Sequence, residues 1–250
     1  MSATEGAKLG RSFSLVIMTS VLIVFAVTLA LLGGFVLWTS EQVDQNALDR
    51  QGQRVGYFVR GQLEAIPYDQ QSVTIWDDTL VAARARDTDW LQVNVGKWTY
   101  DYFGHDESYI LLGDQPVYAS LDGTETDVSS YAGRAPYAEH LIEQLRHLTS
   151  AGYIDTPPYA SDFVVIDGEP SIISVSPIVS ETGNIQQQPG AEPLLVSVIK
   201  LDLDYELRLI ERYQMEAGRF TSSPTNSNLG SLPVTNRAGR IVTFYEWEPY

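Results

Sequence analysis

The 250-residue chain has no cysteine and only 3 histidines. The missing cysteine excludes disulfides, iron–sulfur clusters, thiolate zinc sites and cysteine nucleophiles. Basic residues are also scarce: 16 Lys and Arg stand against 32 Asp and Glu, a formal net charge of −16. That balance opposes binding to phosphate backbones and anionic lipid surfaces, so nucleic acid is not an expected partner. The sequence contains no P-loop, G-x-S-x-G or H-E-x-x-H motif, and no repeat of the length that builds solenoids. No cofactor and no metal ion is expected.

Aromatic residues at 11% and hydrophobic residues at 44% argue for a folded core despite the charge. Residues 12–40 carry no charge, and residues 13–38 are almost wholly apolar or small. A helix of that length reaches across the roughly 30 Å hydrocarbon core of a bilayer with some tilt. Lys8 and Arg11 precede the run while Glu41 and Asp44 follow it, which puts residues 1–11 in the cytoplasm and the rest outside. The expected location is therefore the inner (cytoplasmic) membrane, single pass, with the C-terminal domain periplasmic or extracellular. Trp38 suits an interfacial anchor. A cleaved secretory signal is the alternative, with Ala26, Ala30, Gly33 and Gly34 supplying small residues, although its apolar region normally spans only about 7–15 residues.

Residues 41–66 form a membrane-proximal helix by pattern: Val43, Leu48, Val55, Phe58, Val59, Leu63 and Ile66 recur at three-to-four spacing, and Pro67 ends it. The stripe fits either pairing with a second subunit, hence a homodimer, or packing on its own domain. Residues 67–250 then make up the outer domain.

The richest stretch covers residues 72–103 and reads as two helices, the first capped by Ser72, with a break at 87–89. Trp76, Trp90 and Trp98 lie close to Asp77, Asp78 and Asn94. Buried aromatics beside a few polar groups compose a ligand pocket; they equally compose a core whose indole N–H groups need acceptors, and composition alone favours the core. The candidate ligand-binding set is Trp76, Asp77, Asp78, Trp90, Asn94, Trp98 and Tyr118, for a small molecule of unknown identity.

Further along, residues 108–112 and 115–120 flank Gly113 and Asp114 as a hairpin, and residues 163–166 and 171–178 flank Asp167 and Gly168 as another. A helix over 136–149 buries Ala138, Leu141, Ile142, Leu145 and Leu148. Residues 181–193 read as a polar connection in solvent, 194–201 as a strand, and the helix after Asp202 or Asp204 turns Leu207, Ile210 and Tyr213 inward. Residues 217–228 read as a loop, followed by strands near 232–235 and 240–247. Hairpins and helices in this order, without regular β-α-β alternation, give an α+β class: an antiparallel sheet with packed helices.

Several side chains could carry chemistry. Asp202 and Asp204 suit a divalent cation, but also a helix cap, and capping is the better fit to their position. Residues 104–107, G-H-D-E, lack a second histidine at ligand spacing and read as a solvated turn. His140 and His147 sit two turns apart on one helix, as surface or core-edge residues. Asp77 with Asp78 is a pair of the kind acid–base catalysis uses, with no nucleophile marked nearby. Two further readings thus stay open: a membrane-tethered hydrolase or transferase using Asp77/Asp78 or Asp202/Asp204, and an envelope interaction subunit without a small-molecule site.

The W-D-D-T at 76–79, the W-x-x-x-N-x-G at 90–96 and the G-H-D at 104–106 resemble the CHASE4 domain, an extracytoplasmic sensory module of bacterial receptors. The Q-P-V-Y-A at 115–119, the hairpin at 163–178 and V-I-K-L-D-L-D-Y-E-L at 198–207 fit the same ordered set. The resemblance implies a PAS-like or Cache-like arrangement, in which a long helix leads into a sheet and its pocket. It also implies a non-catalytic domain that passes ligand-induced shifts through a second span to cyclic-di-nucleotide enzymes or histidine kinases. Since the sequence ends at Tyr250, it reads as the input half of a longer receptor or a truncated product.

Overall fold

The computed structural model describes the backbone of residues 3–152, 156–213, 218–225 and 228–248, and side chains at 18, 20, 22–35, 50–152, 156–211, 218–225 and 228–248. The side chains of Lys8, Arg11, Trp38, Glu41, Val43, Asp44, Leu48 and Tyr213 lie outside that set. Two compact units are present, Met1–Gln51 and Gly52–Tyr250. The first belongs to helix α1 (Ala3–Thr74), along which Leu22, Ile23, Phe25, Leu31 and Phe35 are exposed. Among the described residues no helix is long and apolar enough to cross a membrane.

Pro67 does not end α1, which continues to Thr74. A proline removes the N–H that would bond the carbonyl four residues back. Here the Ser161 hydroxyl donates to that orphaned Leu63 carbonyl at 2.6 Å, so the sheet supplies the bond the helix lacks. Ser72 accordingly sits inside the helix, donating to the Asp69 carbonyl, rather than capping the next one.

The second unit holds β1 (Glu107–Leu112), β2 (Gln115–Leu121), β3 (Thr124–Glu125), β4 (Ala160–Ile166), β5 (Glu169–Pro177) and β6 (Leu194–Lys200) in one sheet of order β3-β2-β1-β6-β5-β4. Every pairing in it is antiparallel, and both expected hairpins form, β1–β2 and β4–β5. Helix α5 (Ala135–Ser150) and a 3-10 turn (Val128–Gly133) cover one face, where Ala138, Leu141 and Leu145 meet Tyr109, Leu111, Val196 and Ile173. The end of α1 and the helices after it cover the other: α2 (Asp77–Ala85), α3 (Thr88–Leu91), a π-helical turn (Gln92–Gly96) and α4 (Lys97–Phe103). The expected two helices of 72–103 are thus interrupted by this wider turn. The result is an α+β domain of antiparallel sheets with packed helices, consistent with a PAS-like or Cache-like sensor fold.

Register creates a feature on the second face. Ser120, Ser108, Ser197, Ser174 and Ser161 stand opposite one another across β2, β1, β6, β5 and β4. All five are at most 1% exposed. Small side chains let the helices lie close, and each hydroxyl needs a partner there. Thr99 Oγ1 is 3.0 Å from Ser108 Oγ, and Gln70 of α1 bonds Ser174 and Ser197.

Helix α6 (Leu203–Tyr213) follows β6, with Asp202 accepting from the Tyr205 N–H as its cap. Its buried side chains are Tyr205 and Leu209, while Leu207 is exposed, so the helix is rotated from the expected phase. Tyr205 and Leu209 turn inward because they pack into one core cluster with Ile66, Ile199 and Tyr245. A smaller sheet, β7-β9-β8, joins β7 (Gly218–Thr221), β8 (Gly230–Thr235) and β9 (Ile241–Trp247). β7 forms within the expected loop because its partner β9 is distant in sequence and reaches it at Phe220↔Tyr245.

Candidate functional site

Trp76 and Trp90 do meet, with ring centroids 5.1 Å apart and half-buried. Asp77, in the first turn of α2, accepts from the hydroxyls of Ser180 (2.6 Å) and Thr182, which hold its carboxyl below the usual carboxylate range. This clamps the connection after β5 onto α2. Ile75 pairs with Val179 beside it, Arg84 donates to the Gln186 carbonyl, and Ile185 packs into the core. The segment 181–193 is therefore polar and largely exposed, as expected, but anchored at these points, and its end at Glu192 is buried. Asp78 flanks Asp77 in the same turn.

Asn94 donates to the Trp90 carbonyl at 2.9 Å, within the π-helical turn. Tyr118 is fully buried and donates to Gln92 Oε1 at 2.8 Å. A Cβ at Gly96 would lie 1.9 Å from the Tyr118 hydroxyl oxygen, so glycine is what lets this turn seat on the sheet. Trp98, on α4, stacks at 4.1 Å on Tyr102 and is exposed. The seven expected site residues thus divide: Trp76, Asp77, Asp78, Trp90 and Asn94 gather at α2, α3 and the π turn, Tyr118 lies beneath, and Trp98 faces away along α4.

The G-H-D-E stretch is not a solvated turn. His105 is 1% exposed, its Nδ1 3.0 Å from Ser197 Oγ. Gln70 Nε2 faces the Ser174 carbonyl and Ser197 Oγ, while its Oε1 accepts from Ser174 and Ser176. Ser197 Oγ accepts from Gln70 and also bonds His105 Nδ1, in a direction set by the imidazole tautomer, while His105 Nε2 is buried with no hydrogen-bond partner among the described residues. Burial, with the nearby Arg208 charge, pushes the His105 pKa down to about 3. Asp106 accepts from the Lys200 N–H at 2.7 Å, yet burial pushes its carboxyl up to about 6. Glu107 is buried in a two-pronged pair with Arg134 at 2.8 and 2.7 Å and accepts from Tyr109.

Next to this stretch lies a cavity of about 270 Å³ between α1, the end of α4, β6 and α6. Ile66, Ile199 and Leu209 are apolar walls, Tyr102, Phe103 and Tyr205 aromatic ones, and Gln62, Asp69, Arg208 and Glu211 bring polar groups. None of the seven expected residues lines it. Tyr205 donates to Gln62 Oε1 at 3.0 Å, joining α6 to α1 at its edge. Among the described residues no group of three or more His, Asp or Glu is placed to hold a metal ion.

A family model described as the CHASE4 domain matches residues 58–218 of the 250-residue chain. The chain belongs to the CHASE4 family. No curated protein matches the sequence. CHASE4 domains are extracytoplasmic sensory modules and not enzymes, so the paired acids have structural work here: Asp77 clamps a connection and Asp202 caps a helix. The match spans the buried serine row, the Gln70–Ser197–His105 chain and all of the cavity lining in this CHASE4 domain.

Proposed function

We propose that this CHASE4 domain is the ligand-binding input half of a membrane receptor, with the cavity between α1 and α6 as its ligand site. The observation that carries the reading is that α1 itself forms one wall, through Gln62, Ala65, Ile66 and Asp69. A ligand that binds one placement of α1 better than another would shift the helix by that difference in affinity. One turn further on, Gln70 couples α1 to three strand serines, so displacement of the helix is transmitted to the sheet and the reverse. The tryptophan cluster, in this reading, supports the domain by pinning the connection after β5, and its exposed edges around Trp76 and Trp90 form a second candidate contact surface.

Anchoring through residues 12–40, with residues 1–11 in the cytoplasm, is part of the same proposal. It rests on the charge-free run and on the exposed apolar side chains between Leu22 and Phe35. Output to a cyclic-di-nucleotide enzyme or a histidine kinase rests on the family alone. Pairing of two copies along α1 is supported by Tyr57 and Tyr68, which are 74% and 72% exposed on one stripe of the helix.

The cysteine-free sequence makes the test direct. Single-cysteine variants Thr4→Cys, Tyr57→Cys and Thr182→Cys are treated in intact cells with a membrane-impermeant maleimide. Thr182→Cys should label without permeabilisation and Thr4→Cys only after it, and oxidation should link Tyr57→Cys into a dimer. Labelling of Thr4→Cys in intact cells would refute the orientation, and a Tyr57→Cys chain that stays monomeric on oxidation would refute the pairing.

A further inference from the structure

A second cavity, of about 250 Å³, opens between α1, β4 and β8. Gly56, Val59, Arg60 and Leu63 form its helical wall, a stripe of α1 distinct from the one at Gln62, Ala65, Ile66 and Asp69 that faces α6. Phe163, Leu232 and Val234 add apolar walls from the two sheets. Among the described residues no Asp or Glu lines it, whereas Arg60 and Arg237 both do, in a chain with 32 acids against 16 Lys and Arg. Its lining from Leu232 to Arg237 lies beyond the matched residues 58–218.

Both arginines are exposed and lightly held. The Arg60 guanidinium lies 5.5 Å from the Tyr57 ring, and the Arg237 side chain donates to Gln144 Oε1 at 3.1 Å. Among the described residues neither has a carboxylate within ion-pair distance. Asp162, beside Phe163, accepts instead from the backbone N–H groups of Phe163 and Arg237, which fixes the turn that carries Arg237. A guanidinium presents a planar fork of donors that a carboxylate satisfies two at a time. Gly56 keeps the helical wall open: a Cβ there would meet only Leu232 and Arg60, each at 3.5 Å, so alanine, the better helix former, would fit. Apolar walls with a basic rim suit a molecule that has one anionic end and an apolar body. An inorganic anion would leave the apolar walls unused, and a cation would face two guanidinium groups. We propose that this cavity binds a small organic carboxylate, its apolar body against Val59, Phe163 and Leu232 and its carboxylate at Arg60 and Arg237. The site is separate from the one between α1 and α6 and does not rest on the sensor reading; the two share only α1.

The test is calorimetric titration of the full chain in an uncharged detergent at fixed ionic strength. The probes are benzoate, phenylacetate, phenylpropionate and hexanoate, each beside its neutral amide, together with inorganic phosphate. At least one carboxylate should bind. Its amide should bind at least about tenfold more weakly because it loses the charge-assisted pair, and phosphate should do the same because it leaves the apolar walls empty. Arg60→Gln combined with Arg237→Gln should weaken the carboxylate by at least about tenfold while leaving the melting temperature near that of the native chain, since both side chains are exposed. If that variant fails to fold, the matched amides on the native chain still decide. Ala65→Phe, which fills the first cavity, should leave the carboxylate's affinity unchanged. An amide that binds as tightly as its acid, a series in which no carboxylate binds, or a carboxylate lost in Ala65→Phe overturns the inference. None of these outcomes counts against the first cavity as the sensor's ligand site.

Discussion

His105 is buried and its neighbour Asp106 half-buried, with pKa shifts of opposite consequence. The Asp106 carboxyl is raised from 3.8 to about 6, so its contribution to stability is fully present below pH 3.8 and disappears as pH rises through 6. His105 is lowered from 6.5 to about 3, so its contribution is present above pH 6.5 and is lost as pH falls towards 3. Between about pH 4 and 6 the two slopes oppose each other and stability should be nearly flat. Asp106→Asn removes one of them. Chemical denaturation of that variant should then show a loss of about 2–3 kcal/mol from pH 6 to pH 4, absent in the native chain. Parallel pH profiles would mean that the two groups are not buried as described. Neither shift was legible in the sequence, because a turn of Gly, His, Asp and Glu has the composition of a surface loop. It is buried by Ser197 and Lys200, which are distant in the chain and adjacent only in the sheet.

At the scale of elements, the end of α1 depends on β4. Ser161→Ala should cost about 1–2 kcal/mol, since the Leu63 carbonyl then has no donor. In a Pro67→Ala background the restored backbone N–H can take over, so the same substitution should cost much less. A double-mutant cycle of thermal or denaturant unfolding checks this, and additive effects would disconnect the hydroxyl from the proline. The elements themselves were largely readable: both hairpins, α5, β6 and the cap at Asp202 follow from local turn, periodicity and capping signals. What local signals miss is repair across the chain. Pro67 reads as a stop because its remedy lies on another element, and β7 reads as a loop because β9 defines it.

For the whole molecule, the ordered motifs were enough for the family and the class of fold, while the cavity between α1 and α6 had to wait for tertiary packing. Its lining comes from α1, α4, β6 and α6, none of whose segments is distinctive alone. One clue was present. The buried stripe of α1 runs through Val55, Val59, Gln62, Ile66, Asp69, Gln70 and Val73, so Gln62 and Gln70 are among the polar residues that interrupt its apolar face. Polar residues on a buried stripe mark a network, and these two tie α1 to α6 and to the serine row. The tryptophan motifs, by contrast, drew attention for their size, and their surroundings hold the connection after β5 on α2.

The central claim is that a small molecule binds between α1 and α6 and is thereby felt by α1. Thermal unfolding of the full chain in detergent, screened against amino acids, organic acids, polyamines and sugars, tests it most directly when run beside Ala65→Phe. Ala65 lines the cavity, and a phenylalanine there fills it. At least one compound should stabilise the native chain by about 2.7 kcal/mol at a hundredfold excess over its dissociation constant and leave Ala65→Phe unmoved. A screen in which every stabilising compound acts equally on both chains would place the ligand elsewhere and contradict the claim.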